Sequence, residues 1–290
     1  MAAAPIFLIN RDIAIILMVQ SFGGCTIEQI AKRLFPSLNS DRSCYRRVAE
    51  LVGYGYLATR RLPAASGVGS GKQFLSVTPK GRVAVAAALA VPISDLTRFR
   101  ANAPRFIEHH LAIGNTRIAF EIAAQHSGLF TVLDWSGDRA VQLSAEVGGP
   151  KGRETLILKP DSAFTIGLPD GRTQQFFLEQ DMATMTARGR MKARLHGYLV
   201  AARSRPIPVL FVTTTRERLR ARRDLAQETA AQHNLNARTI WLTTTDQLAT
   251  KDALHSPIWV IPGVEHSMAV SDVTVSAFMD QGTQKNGGHS

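Results

Sequence analysis

Residues 160–181 read PDSAFTIGLPDGRTQQFFLEQD, and this stretch decides the fold of the larger part of the chain. Two β-prone runs flank a Leu-Pro-Asp-Gly turn, where Pro presets one backbone angle and Asp-Gly supplies the reversal. Working outward, the texture predicts strands over 130–135, 155–166 and 174–182, separated by Gly, Pro and Asp. A long helical pattern over 105–126 precedes them, with Phe106, Leu111, Ile113, Ile118, Phe120 and Ile122 as its apolar positions. A helix over 186–203, a strand over 208–213, an arginine-rich helix and a strand over 238–243 follow. Helix, three strands, helix, strand, helix, strand implies a mixed sheet covered by helices, an α/β domain.

The same stretch carries three carboxylates. Asp161 follows Pro160 at the bend of one strand, and Glu179 and Asp181 stand two apart on the next. Strand side chains alternate faces, so Glu179 and Asp181 point one way and Leu178 and Gln180 the other. Carboxylates gathered in this way repel, and a divalent cation removes the repulsion. Such an ion orients a water and polarises a phosphate, and a cation such as Lys192 on the following helix stabilises the developing charge.

Toward the N-terminus the chain changes character. The 290 residues hold 34 Lys and Arg against 23 Asp and Glu, a net charge of +11. Residues 1–104 carry 13 basic and 5 acidic side chains, a net of +8, whereas residues 105–290 carry only +3. A positive field concentrated in one third of the chain predicts a polyanionic partner. With 45% hydrophobic residues the chain buries a real core, which excludes wholesale disorder.

Residues 10–22 form an apolar helical segment that Gly23 and Gly24 interrupt. Thr26 and Gln29 have the spacing of a capping box, and Ile27, Ile30, Ala31 and Leu34 fall on one face of the helix they start. Pro36 ends it, and Ser40 caps a third helix over 41–52 whose buried stripe is Cys44, Val48, Leu51 and Val52. The opposite face collects Arg42, Tyr45 and Arg46, with Arg47 at its flank, as a helix that reads the major groove of double-stranded DNA requires. Two β-prone segments follow around a Gly/Ser-rich tip, with Arg60, Arg61 and Lys72 in reach of the phosphate backbone or a minor groove. This region resembles winged helix-turn-helix domains over residues 8–90, with Val77, Thr78, Pro79, Lys80 and Gly81 leading into the next helix.

The carboxylate region resembles the PD-(D/E)xK nuclease superfamily through Pro160, Asp161, Glu179, Gln180 and Asp181. That resemblance implies Mg2+ bound by Asp161 and Glu179, with Asp161, Glu179, Asp181 and Lys192 as catalytic residues. The chain departs from the motif in one place, since Asp181 stands where its lysine belongs, and Lys192 is the replacement the next helix offers. Over its length the chain is similar to the replication-relaxation family through FIEHHLAIGNTRIAF, the Pro-Asp pair, FFLEQD and KARLHGYL with Lys192 and Tyr198. That similarity implies a part in replication or DNA topology of plasmids, phages or other mobile elements.

The organisation expected is therefore an α+β chain. A winged helix-turn-helix domain occupies residues 1–92, a linker 93–104, a nuclease-like mixed-sheet α/β domain 105–262, and a partly disordered tail 263–290. Two functions compete, Mg2+-dependent DNA cleavage and non-catalytic DNA binding on a degenerate nuclease fold. Cys25 and Cys44 have no metal-ligand spacing and fit a reducing, cytoplasmic setting. No apolar run has the roughly 18 residues that span a bilayer, so no membrane partner is expected. A homodimer is compatible with the sequence, although no heptad pattern prescribes one. The arginines at 216, 218, 220, 222 and 223 read as a solvated helix face.

Overall fold

The structure, a computed structural model, describes residues 7–36, 40–62, 71–96, 104–137, 141–149, 152–182 and 188–272. It is an α+β protein that divides into two compact units, Met1–Ile118 and Ala119–Ser290.

The first unit begins with α1 (Asn10–Ser21), stopped where Gly23 and Gly24 take positive φ angles of 70° and 121°. A side chain at Gly24 would run into the Phe74 ring, so glycine is required there for space as well as for backbone angle. The short strand β1 (Cys25–Thr26) leads into α2 (Ile27–Leu34). The expected capping box is present. Thr26 Oγ1 accepts the Gln29 backbone N–H at 3.3 Å, and Gln29 Oε1 accepts that of Thr26 at 3.1 Å. The remaining amide hydrogens of Gln29 go to Leu111 O and Asn115 Oδ1, each at 2.8 Å.

Helix α3 (Ser40–Gly53) buries Cys44, Val48 and Leu51 of the expected stripe, and Val52 is half-buried. Strands β2 (Leu57–Arg61) and β3 (Gln73–Val77) pair antiparallel, and β1 joins the outer side of β3, giving the order β1-β3-β2. The Gly/Ser-rich tip expected to join β2 and β3 lies outside the described residues. Thr78 then caps α4 (Pro79–Leu89), accepting the Gly81 N–H at 3.1 Å. The first unit extends to Ile118, beyond the linker expected at 93–104, because the start of α5 (Pro104–Ser127) packs on it through Ile107 and Leu111 against Leu62 and Phe74. Cys25 and Cys44 are buried as small apolar side chains, and burial pushes the Cys25 thiol far above its usual range.

The second unit is built on a sheet of five strands, β4 (Thr131–Gly137), β7 (Ser162–Gly167), β8 (Thr173–Asp181), β9 (Val209–Thr213) and β10 (Ile240–Thr244). A hairpin of β5 (Leu143–Gly149) and β6 (Gly152–Leu158) intervenes between the first two in sequence. Across the sheet the order is β10-β9-β8-β7-β4, with β7 antiparallel to both β4 and β8, and β8, β9 and β10 parallel. The parallel connections run through α6 (Arg188–Ser204) and α7 (Arg216–His233), and α8 (Thr245–Thr250) follows β10.

The segment 155–166, read from sequence as one strand, is two. Leu158 ends β6, the chain turns through Lys159, Pro160 and Asp161, and Ser162 begins β7 in a different sheet. Pro160 has no N–H for a ladder, which makes this the place where pairing changes partner. The segment SPIWVIP reaches the edge of β10 through a single antiparallel bridge, Leu242 to Val260. Within the expected tail, residues 263–272 include a short 3-10 turn, Val270–Asp272.

Each face of the sheet has its own core. One holds stacked rings, Trp135 on Phe164 at 4.3 Å, Phe164 on Phe176 at 5.3 Å, and Phe120 on Trp259 at 6.0 Å. The other packs Phe177, Phe211 and Leu242 against Leu195, Tyr198 and Leu199 of α6 and Leu219, Leu225 and Ala226 of α7. The side chains of Glu179 and Asp181 meet residues of these two helices. Among the described residues no helix is long and apolar enough to cross a membrane.

Candidate functional site

Asp161 and Glu179 lie side by side where β7 pairs with β8, Asp181 ends β8, and each of the three accepts hydrogen bonds. Asp161 sits where β7 begins. Its N–H donates to Leu178 O at 2.9 Å, and its Oδ2 accepts the Gln180 N–H at 2.7 Å. Backbone pairing thus fixes Asp161 beside Glu179.

Glu179 is buried, and its Oε1 receives Arg194 Nε at 2.9 Å, Arg194 Nη2 and the Tyr198 hydroxyl. Arg194 and Tyr198 are four apart on α6, so one helix face delivers both. The same Nη2 donates to Lys159 O at 2.8 Å, which ties the bend before Asp161 to the helix. Burial, helped by the charge of Asp161, pushes the Glu179 carboxyl up to about 7 against the pull of Arg194 and Tyr198. The Tyr198 hydroxyl is likewise held well above its usual range, by burial first and by Glu179 next.

Asp181 meets a different helix. Arg218 Nη2 lies 2.8 Å from its Oδ1 and Arg222 Nε 2.8 Å from its Oδ2. Burial alone would raise this carboxyl, but the hydrogen bonds and charges of Arg218 and Arg222 outweigh it and hold the group below its usual range. Arg218 and Arg222 therefore belong to the interior network and not to the solvated face expected of this helix.

Lys192 is not part of the cluster. Its Nζ lies 3.3 Å from Glu228 Oε1 on α7, a carboxylate that Arg188 also binds. Two residues on an α-helix are 200° apart, so a helix that aims Arg194 at β8 aims Lys192 elsewhere. The cation beside Glu179 is Arg194.

The donor set does not fit Mg2+ as it stands. A hard cation of this kind needs carboxylate or carbonyl oxygens with free lone pairs in octahedral array. Glu179 Oε1, Lys159 O and both oxygens of Asp181 are committed to guanidinium groups. Among the described residues no group of three or more His, Cys, Asp and Glu side chains is arranged to hold a metal.

On the first unit, Arg42 and Arg46 of α3 are exposed, and between them Tyr45, 46% exposed, donates its hydroxyl to Glu28 at 3.2 Å. Arg60 and Arg61 on β2 and Lys72 before β3 are exposed as well. Arg47 departs from the expected surface role. Its Nε and Nη2 grip the fully buried carboxylate of Asp12 in α1, and its Nη1 reaches Glu50. This buried acid was not recognised in the sequence; the signal available was an Asp inside an apolar helical run, which demands a partner.

A family profile described as replication-relaxation matches residues 18–207. The match takes in Asp161, Glu179, Asp181, Arg194 and Tyr198 and ends before α7 with Arg218 and Arg222. No curated protein matches the chain.

Proposed function

The chain belongs to the replication-relaxation family, and on that premise we propose that it is a DNA-binding protein of a mobile element that acts in replication or DNA processing. Its first unit is read as a winged helix-turn-helix, in which α2 and α3 form the helix pair and β2 and β3 the wing. Helix α3 enters the major groove and the wing follows the phosphate backbone.

One observation carries this reading. Arg42, Tyr45 and Arg46 stand exposed on the face of α3 opposite its buried stripe, on the same unit as the exposed wing residues Arg60, Arg61 and Lys72. Cationic side chains placed this way neutralise phosphates and read guanine edges. The second unit is read as a degenerate nuclease-like scaffold, in which Glu179 and Asp181 are held in ion pairs with arginines. Phosphodiester cleavage with Mg2+ is the competing reading, supported by Asp161 standing beside Glu179, and it requires Arg194 to leave. A cytoplasmic location accords with two buried, reduced thiols. A homodimer would offer two copies of α3 to half-sites one helical turn apart, about 34 Å.

The test pairs two assays on the full chain. Fluorescence anisotropy with a labelled duplex reads binding by the wild type and by Arg42→Ala/Arg46→Ala, and supercoiled plasmid with Mg2+ reads nicking. Binding that the double substitution weakens, without nicking above that of Asp161→Ala, supports the proposal. Nicking that depends on Asp161 replaces it with the enzymatic reading.

A further inference from the structure

We propose that Arg194 is a built-in counter-cation that occupies, in the second unit, the place a divalent metal takes in nuclease-like sites. The inference rests on the nuclease-like reading of the second unit and is independent of DNA binding by the first.

Two carboxylates, Asp161 and Glu179, are brought together by the pairing of β7 with β8, and Glu179 is buried. Like charges in such a position need compensation, from a proton, a metal or a protein cation. The guanidinium supplies it. Its planar fork reaches Glu179 Oε1 through Nε and Nη2 and the Lys159 carbonyl oxygen through Nη2. A carboxylate oxygen and a carbonyl oxygen are the ligand types a hard cation uses, and here one side chain has both. Tyr198, one helical turn further along α6, adds a third donor to Glu179 Oε1, leaving that oxygen no lone pair for a metal.

Nor does Asp181 remain to complete a metal shell. Arg218 and Arg222 take one oxygen each. The end of β8 thus carries Glu179 and Asp181 on one face, with Arg194, Arg218 and Arg222 set against them from α6 and α7. The arrangement joins both helices to the sheet by charge-assisted hydrogen bonds where a metalloenzyme keeps an ion with open coordination positions. A divalent cation enters only if Arg194 is withdrawn.

Thermal unfolding of the full-length protein, with EDTA, MgCl2 or MnCl2, tests the assignment. The wild type is expected to melt at the same temperature in all three. Arg194→Met is expected to melt lower by several degrees in EDTA and to recover part of that loss in MnCl2, because the unmasked carboxylates then lack a cation. Arg194→Lys, which keeps a charge on the helix, is expected to fall between the two and to respond less to Mn2+. Calorimetric titration of the wild type with MnCl2 should give no heat of binding. A Mn2+-dependent rise in the wild type that disappears in Asp161→Asn overturns the proposal. So does an Arg194→Met protein as stable as the wild type or indifferent to Mn2+. If Arg194→Met does not fold, the calorimetric titration and the wild-type melts decide alone. Duplex binding by the same variants, which is proposed to depend on α3, separates this outcome from failure of the DNA-binding reading, since neither the melts nor the titration depends on that helix.

Discussion

Arg194 lies against the buried carboxylate of Glu179, its Nε 2.9 Å from Oε1, and so joins α6 to the central strand of the sheet. Even with this cation in place, burial and Asp161 raise Glu179 from its ordinary 4.5 to about 7. A carboxyl whose folded value lies above its unfolded one binds its proton more tightly in the folded state. Its contribution to stability is complete below 4.5 and is lost as pH rises through 7. Denaturant unfolding between pH 4.5 and 7 should therefore show a loss of up to about 3 kcal/mol from this residue. Glu179→Gln should flatten that slope. A slope unchanged in the variant rules out Glu179 as its source.

Asp181 works in the opposite direction. Arg218 and Arg222 hold it below its ordinary 3.8, so it stabilises the folded chain above that value and the contribution is lost on acidification. Asp181→Asn is expected to destabilise at pH 7 and to converge on the wild type in acid. Unfolding curves at pH 7 and pH 3 check the crossing.

Arg47 and Arg46 are neighbours in sequence with different work to do. Arg47 is 21% exposed and grips the fully buried Asp12, whereas Arg46 faces solvent. Arg47→Ala strands a buried charge and should cost about 2–3 kcal/mol, somewhat less than a fully enclosed pair because part of Arg47 is wet. Arg46→Ala should change stability by no more than about 0.5 kcal/mol. Comparing their urea midpoints separates the two roles before any DNA is added.

Gly81, in the first turn of α4, leaves no room for a methyl group, since a Cβ there would meet the backbone carbonyl of Tyr56. Backbone on the receiving side cannot swing away as a side-chain tip can. Gly81→Ala should destabilise the first unit by about 1–3 kcal/mol despite its better helix propensity. A more stable variant in thermal unfolding contradicts the packing described.

In the first unit, local signals in the sequence were enough for the start of α2 and the buried stripe of α3, and missed the pairing of Asp12 with Arg47. Thr26 and Gln29 need only each other to cap α2, and the Cys44, Val48, Leu51 stripe needs only helical spacing, so both were legible. In the second unit the carboxylates were legible and their partners were not. Which cation meets Glu179 depends on how α6 turns as it packs on β8. A two-residue difference exchanges Lys192 for Arg194, and no periodicity in the sequence distinguishes them. Arg218 and Arg222 were hidden for the same reason, because an arginine run on an outwardly polar helix looks solvated until the helix is docked. The hairpin of β5 and β6 was missed because LSAEVGG lacks the aromatic and β-branched content of a buried strand, and the run into β7 concealed the break at Pro160.

The proposed wing makes a separate prediction. Arg60, Arg61 and Lys72 are exposed, and cations that meet only phosphates carry no base information. Replacing all three with alanine should weaken binding to unrelated duplexes alike and lower the salt slope by about 1 for each phosphate that is no longer neutralised. Anisotropy titrations in increasing NaCl measure that slope, and an unchanged slope removes the wing from the interface.

Duplex binding by the exposed face of α3 is the proposal on which the function rests. It is read most directly as the affinity of Arg42→Ala/Arg46→Ala for a duplex at fixed salt, beside the wild type, with unfolding curves confirming that both are folded. The expected result is a loss of about 1–3 kcal/mol in binding for each arginine removed, at unchanged stability. Equal affinity for the two proteins takes α3 out of the interface and overturns the assignment.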